Sequence, residues 1–151
     1  MPEHEYSTEI DEEKCAKAYG KEFHISPKDS VEICKEIKGM KLEQAMNFLE
    51  EVINKDKVVP YTRHDGKRGH KKGDNIKAGG YPVKAAKKIL EVLGNVEANA
   101  EYEGLMMENL RIIHASAKEG IEFPGIQPRA FGRASPSQTP TTNVEIVVRA
   151  D

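Results

Sequence analysis

Tryptophan is absent, and aromatic residues together make up 6% of the chain, so a rich aromatic ligand cage is not expected. No apolar run is longer than four residues, Ile146-Val147-Val148 being typical. A membrane-spanning helix needs about 20, and none is expected. The first five residues, Met1 to Glu5, have neither the basic start nor the apolar stretch of a secretory signal. Cysteine is scarce: Cys15 and Cys34 are the only two. They could pair in principle, but reduced thiols of an intracellular protein are the expected state. What is present, 38% apolar and 32% charged residues over 151 positions, fits one soluble domain long enough to bury a core, spanning 1–151.

The formal net charge of −2 is an average over unlike segments. Residues 1–56 carry −6, residues 57–90 carry +8, residues 91–121 carry −4, and residues 122–151 are neutral. A concentrated basic segment between acidic ones implies a face offered to a polyanion. The plainer reading, a solvated lysine-rich face, loses ground because only two acids sit among the ten bases of 57–90, leaving little local neutralisation.

The first fifteen residues are acidic and polar and predict a loose lead-in. Residues 16–25 alternate imperfectly and predict a short strand. Ser26 as cap, Pro27 at the first helical position and Asp29 in the first turn predict a helix start. That helix has Val31, Cys34 and Ile37/Lys38 at helical spacing, and Gly39 as its stop. A second helix is expected over 41–53, with a stripe of Leu42, Ala45, Met46, Leu49 and Ile53. A third is expected from Pro82 to about Glu101, with Val83, Ala86, Ile89/Leu90, Leu93, Val96 and Ala100 on one face. Lys84, Lys87 and Lys88 share the opposite face within roughly 100° of arc.

Between the second and third helices, about 57–80, six glycines and prolines are interspersed with Arg63, His64, Lys67, Arg68, His70, Lys71, Lys72 and Lys77. Glycine breaks regular elements and close lysines repel, so this loop is expected to be poorly ordered when free. Its length inside a compact domain calls for a functional explanation. Near the C-terminus, 109–117 and 144–149 read as strands, the second strongly β-branched. If they pair, the proline- and glycine-rich segment between them is the far end of a long hairpin, about 109–149, with its tip at about 124–137. Arms of about 15 residues reach roughly 45–50 Å, against a radius of gyration near 15 Å for a compact chain of this size. Such a finger has no core of its own and needs a partner.

Three chemistries compete. His114-Ala115-Ser116 puts a base and a hydroxyl on one strand face, but no G-x-S-x-G turn is present to expose a nucleophile. The run from Gly66 to Gly73 fails the order of a nucleotide-binding phosphate loop. A metal site would have to rest on His64 and His70, six apart, without the paired ligand spacing of structural zinc. An enzyme of this kind, a small metal-dependent hydrolase using His64, His70 or His114, is therefore the weaker reading, and no metal or other cofactor is expected. RNA is the stronger one. Basic side chains on a glycine-rich backbone suit the phosphate surface of folded RNA, and no recognition helix for a DNA major groove is evident. Tyr61 and Tyr81 bracket the loop as candidate stacking platforms, Tyr81 alternatively as a helix-packing aromatic.

Three segments, in order along nearly the whole chain, resemble one family. Ala16-Lys17-Ala18-Tyr19-Gly20 with Ile25-Ser26-Pro27-Lys28, then Ala85-Ala86-Lys87-Lys88 through Asn95-Val96-Glu97-Ala98-Asn99-Ala100-Glu101, then Gln127-Pro128-Arg129-Ala130-Phe131-Gly132-Arg133-Ala134 are similar to large-subunit ribosomal protein twenty-two. The last is the most specific, resembling the P-R-A-x-G-R-A signature of that family's hairpin tip. Residues 59–71 followed by Gly80-Tyr81-Pro82 resemble its archaeal and eukaryotic branch. The resemblance implies an α+β fold, three helices packed on a small antiparallel sheet with a long protruding β-hairpin. It implies a non-catalytic, cytoplasmic, ribosome-bound protein. Its partners would be large-subunit rRNA, neighbouring ribosomal proteins and the nascent polypeptide, with no membrane, and its hairpin would line the exit tunnel. Arg129 and Arg133 would hold the tip on phosphates, Pro128 and Gly132 would shape it, and the basic loop with Lys84, Lys87 and Lys88 would anchor the body. A free-standing RNA chaperone shares the charge pattern but has no use for a long, uncharged finger.

Overall fold

The computed structural model describes residues 4–11 and 13–151; residues 1–3 and 12, part of the expected lead-in, lie outside them. In chain order the elements are β1 (Cys15–Phe23), α1 (Pro27–Ile37), α2 (Leu42–Ile53), β2 (Val59–Tyr61), β3 (Ala78–Gly80), α3 (Val83–Tyr102), β4 (Leu110–Pro128) and β5 (Ala134–Ala150). The fold is α+β, as expected. β5 is the middle strand of an antiparallel sheet ordered β1-β5-β4. Val148 thus faces Ala16 on one side and Ile112 on the other. Strand alternation sends Val144, Ile146 and Val148 to the face covered by α1 and α3, while α2 packs on α3. These residues join Ile33, Ile37, Leu49, Ile89 and Leu93 in one core cluster, all of them fully buried.

Local chemistry explains the boundaries. Ser26 accepts a hydrogen bond from the Asp29 amide, and Pro27 opens α1. β1 bends after Gly20, where a Cβ would stand 2.2 Å from a Phe23 ring carbon; only glycine lets that ring fold back. The apolar stripes are rotated slightly from expectation. In α1 the buried face is Ser30, Glu32, Ile33, Cys34 and Ile37, with Val31 only half-buried. In α2, Phe48 and Val52 are buried where Met46 and Ile53 were expected to be.

The hairpin covers nearly the expected residues, 110–150, but its ladder runs further and its turn is tighter than the sequence suggests. Pro124 to Pro128 pair in register with Ala134 to Gln138, so most of the expected tip, 124–137, is ladder. Prolines read as breakers, but a two-stranded ribbon leaves alternate backbone positions facing solvent, where a missing N–H costs nothing. Residues 121–139 contain no buried residue. This projecting part, here called the finger, extends roughly 25–30 Å at the usual strand rise.

Two buried glutamates correct two further expectations. Glu145, fully buried on the outer sheet face, accepts from Ser7 Oγ at 2.6 Å and Lys118 Nζ at 3.0 Å, and meets His4 Nε2 at 2.9 Å and His114 Nε2 at 3.2 Å. His4 also stacks on Tyr19 with ring centroids 3.6 Å apart. Residues 4–7 are therefore tied to the sheet rather than forming a loose lead-in, because a carboxylate buried on β5 must be matched by donors. Glu32, 1% exposed, accepts from the amides of Thr62 (3.2 Å), Arg63 (2.8 Å) and His64 (2.9 Å). Just before that point β2 pairs with β3, and beyond it His70 bridges Ala78 and the Lys71 amide donates to the Lys77 carbonyl. The basic loop, expected to lack order, is folded onto α1.

Burial pushes the Glu145 carboxyl up, but its hydrogen bonds from Ser7, Lys118, His114 and His4 prevail and hold it at about 2 against an ordinary 4.5. With the folded value the lower one, the unfolded chain takes up the proton first. The stabilisation is complete above 4.5 and is lost as pH falls towards 2. Acid titration of the melting temperature should show this loss, and Glu145→Gln should flatten it; an equally steep profile in the variant contradicts the assignment. Glu32→Ala strands three backbone donors, each lost partner costing about 1–3 kcal/mol where it stays buried. Tryptic cleavage after Arg63 and Lys67 should accelerate at least several-fold, and unchanged cleavage would show that Glu32 does not hold the loop.

Candidate nucleic-acid interface

The basic loop divides into cations bound inward and cations left outward. Arg68 is bound inward: its guanidinium lies 4.3 Å from the centre of the Tyr61 ring, and Nη2 donates to Asp29 Oδ1 at 2.9 Å. Tyr61 donates its hydroxyl to the same carboxylate oxygen at 2.8 Å. Burial first, then this hydrogen bond, pushes the phenol well above its ordinary range. Tyr61 is 3% exposed, so it is not the base-stacking platform the sequence suggests; it is the floor on which Arg68 rests. Tyr81 is half-buried, with Lys71 Nζ 5.4 Å from its ring centre. By contrast, Arg63, Lys67, Lys72 and Lys77 are exposed and form no ion pair among the described residues. His64 is half-buried, held through its backbone by Glu32, and His70 is exposed.

Along α3, Lys84, Lys87 and Lys88 are exposed. Lys88 pairs with Glu91 at 3.0 Å and lies 5.5 Å from the Phe23 ring centre, so Lys84 and Lys87 are the uncommitted members. Lys84 lines a cavity of about 630 Å³ with Ser26 and Asp29 of the α1 start and Thr139 and Pro140 at the finger base. The fold therefore brings the loop, the start of α3 and the root of the finger into one neighbourhood.

The tip cations lie apart from these, at the finger's far end. The ladder closes at Pro128 and Ala134, and the Arg129 amide donates to the Arg133 carbonyl at 2.7 Å. Phe131 (φ 61°) and Gly132 (φ 67°) both adopt left-handed backbone. Gly132 takes this conformation without cost, whereas an aromatic residue does not. Phe131 is 93% exposed; its only signal in the sequence is its place as the x of P-R-A-x-G-R-A. Arg129 touches Gln127 Oε1 at 3.5 Å, and neither arginine meets a carboxylate among the described residues.

His64, His70 and His114 are not gathered into one site. His114 approaches both Ser7 Oγ (3.3 Å) and Glu145 Oε2 (3.2 Å) through the same nitrogen, Nε2, while Ser7 donates directly to Glu145. A nucleophilic triad needs the imidazole between hydroxyl and carboxylate, one nitrogen to each, so this cluster is a structural network. Among the described residues no three histidines, cysteines or carboxylates are gathered as metal ligands. Both cysteines are buried free thiols, and burial pushes Cys34 up to about 12, which leaves it unreactive.

With this geometry in view, residues 18–149 match the family model of ribosomal protein L22p/L17e. Large ribosomal subunit protein uL22 of Methanosphaera stadtmanae is 55% identical over 140 residues, spanning 91% of this chain and 90% of its own length. Its counterpart in Methanococcoides burtonii is 48% identical over 143 residues, with 95% and 94% covered. That of Archaeoglobus fulgidus is 50% identical over 138 residues, with 91% and 89% covered. Agreement on this scale, running through body and finger alike, makes the chain a member of the ribosomal protein L22p/L17e family.

Proposed function

We propose that this chain is a structural, non-enzymatic constituent of the large ribosomal subunit that braces its rRNA, its body docked on the RNA surface and its finger lining the polypeptide exit tunnel. In this reading it works in the cytoplasm, bound to the ribosome, beside neighbouring ribosomal proteins and the nascent chain. One observation carries it: residues 121–139 bury nothing of their own and end in two arginines without carboxylate partners. An isolated ribbon of two strands is marginal in water. One that ends in free guanidinium groups suits a cleft walled by phosphates.

Arg63, His64, Lys67, His70, Lys72, Lys77, Lys84 and Lys87 serve as the body's RNA contacts. Arg68, Lys71 and Lys88 contribute mainly by ordering the surface that carries them. Pro128 and Gly132 set the turn that aims Arg129 and Arg133. The slightly acidic total does not oppose this role, since Asp29, Glu32 and Glu145 are occupied by internal donors.

Replacing Arg129 and Arg133 together by alanine should leave the free protein's melting temperature unchanged. It should also lower the salt dependence of rRNA binding by about one unit of slope per phosphate contact removed. Chemical footprints on the tunnel-wall nucleotides of assembled subunits should weaken. Footprints identical to those of the unaltered protein would refute the tip assignment.

A further inference from the structure

The two faces of the sheet are held differently. α1 and α3 cover the inner face, where Val144, Ile146 and Val148 join the core. Val147 points to the other face by strand alternation; it is fully buried, yet it stands outside that core cluster. Over this outer face lie residues 4–11, a strap without regular structure. At one end His4 stacks on Tyr19 of β1, and at the other the Asp11 carbonyl accepts from the Cys15 amide at 3.1 Å. Tyr19 pairs with Glu145 and Cys15 with Arg149, so the His4–Ser7 end is the one nearer the finger.

Glu145 ties that end to β4 through both of its oxygens. Oε1 meets His4 Nε2 at 2.9 Å and accepts from Lys118 Nζ at 3.0 Å. Oε2 accepts from Ser7 Oγ at 2.6 Å and meets His114 Nε2 at 3.2 Å. Each oxygen is thus shared between one strap side chain and one β4 side chain. Lys118 stands opposite Asn143, whose Oδ1 accepts from the Glu22 amide at 2.8 Å, and the finger begins just beyond, at Ile121. With the strap lifted, each carboxylate oxygen keeps a single side-chain partner, and the β4–β5 pair at the finger root keeps its helices on one face only.

We infer that residues 4–7 are the outer half of a clamp on the finger root, with His4 and Ser7 as positioning residues that fix the direction in which Arg129 and Arg133 are held. The reason is leverage. A ribbon bends most readily out of its own plane; the helices oppose bending towards them, and the strap opposes bending the other way. From Lys118 to Arg129 the strand spans roughly 35 Å, so a tilt of about 10° at the root displaces the tip by about 6 Å. A hydrogen bond reaches only about 3 Å. The inference concerns the free chain and goes beyond the RNA-binding reading, since it holds whatever the tip meets.

Residual dipolar couplings of backbone amides, measured by NMR on the free protein, test it by reporting how firmly the root, 119–123 and 141–143, shares the orientation of the body. In the unaltered chain the root couplings should fit the body's alignment. Deleting residues 1–7, or replacing His4 and Ser7 together by alanine, should reduce the root couplings to about half or less while those of α2 and α3 are retained. His4→Gln with Ser7→Thr, which keeps both donors, should restore them. Val52→Ala, which loosens the core under α2 away from the root, should leave them unchanged. Full root couplings in the truncated or the alanine variant would overturn the clamp. So would an equal loss in Val52→Ala, which would trace the effect to general destabilisation.

Discussion

A ribbon of two strands has no interior. Every residue from 121 to 139 is at the surface or only partly shielded, so nothing within the finger offsets the conformational entropy of ordering it except its own ladder and what it touches outside. The body is arranged around that constraint. β5 is at once the returning arm of the finger and the middle strand of the sheet, clamped between β1 and β4 and covered by α1 and α3. Thr141 and Thr142 secure the point where ribbon becomes sheet, through hydrogen bonds to the carbonyls of Ile121 (2.7 Å) and Ile25 (2.9 Å). The rigid half of one strand thereby aims the unsupported half.

Charge follows the same division between inside and outside. The acids that make the chain net negative include three that act as internal fasteners. Asp29 receives Tyr61 and Arg68, Glu32 receives the start of the basic loop, and Glu145 fastens residues 4–7 to the outer sheet face. With those carboxylates set aside, the loop presents Arg63, Lys67, Lys72 and Lys77 outward against Asp65 and Asp74, and the tip presents Arg129 and Arg133. A whole-chain charge therefore says little about the potential that a polyanion would meet.

Much of this architecture was legible in the sequence. Ser26-Pro27 announced α1, β-branched Val144 to Val148 announced the central strand, and the pattern around Arg129 and Arg133 announced the tip. What escaped depended on partners far apart along the chain. Glu32 reads as a surface residue of an amphipathic helix until residues 62–64, thirty positions away, supply it with donors. Glu145 reads as the polar member of an alternating strand, and its burial makes sense only with His4 and Ser7 from the other end of the chain and His114 and Lys118 from β4 gathered around it. The loop's glycines and lysines signalled disorder because composition cannot register that α1 holds the complementary acids. Prolines 124 and 128 signalled a turn because their tolerance in a ribbon depends on which way each backbone position faces.

The account turns on whether the finger depends on its surroundings, and amide hydrogen exchange on the free protein and on the protein within intact large subunits measures that directly. The account predicts fast exchange over 121–139 in the free chain, with 15–20 and 144–149 protected, and strong protection of 121–139 once the subunit is assembled. Equal protection of the finger and the sheet in the free chain, unchanged by assembly, would contradict it.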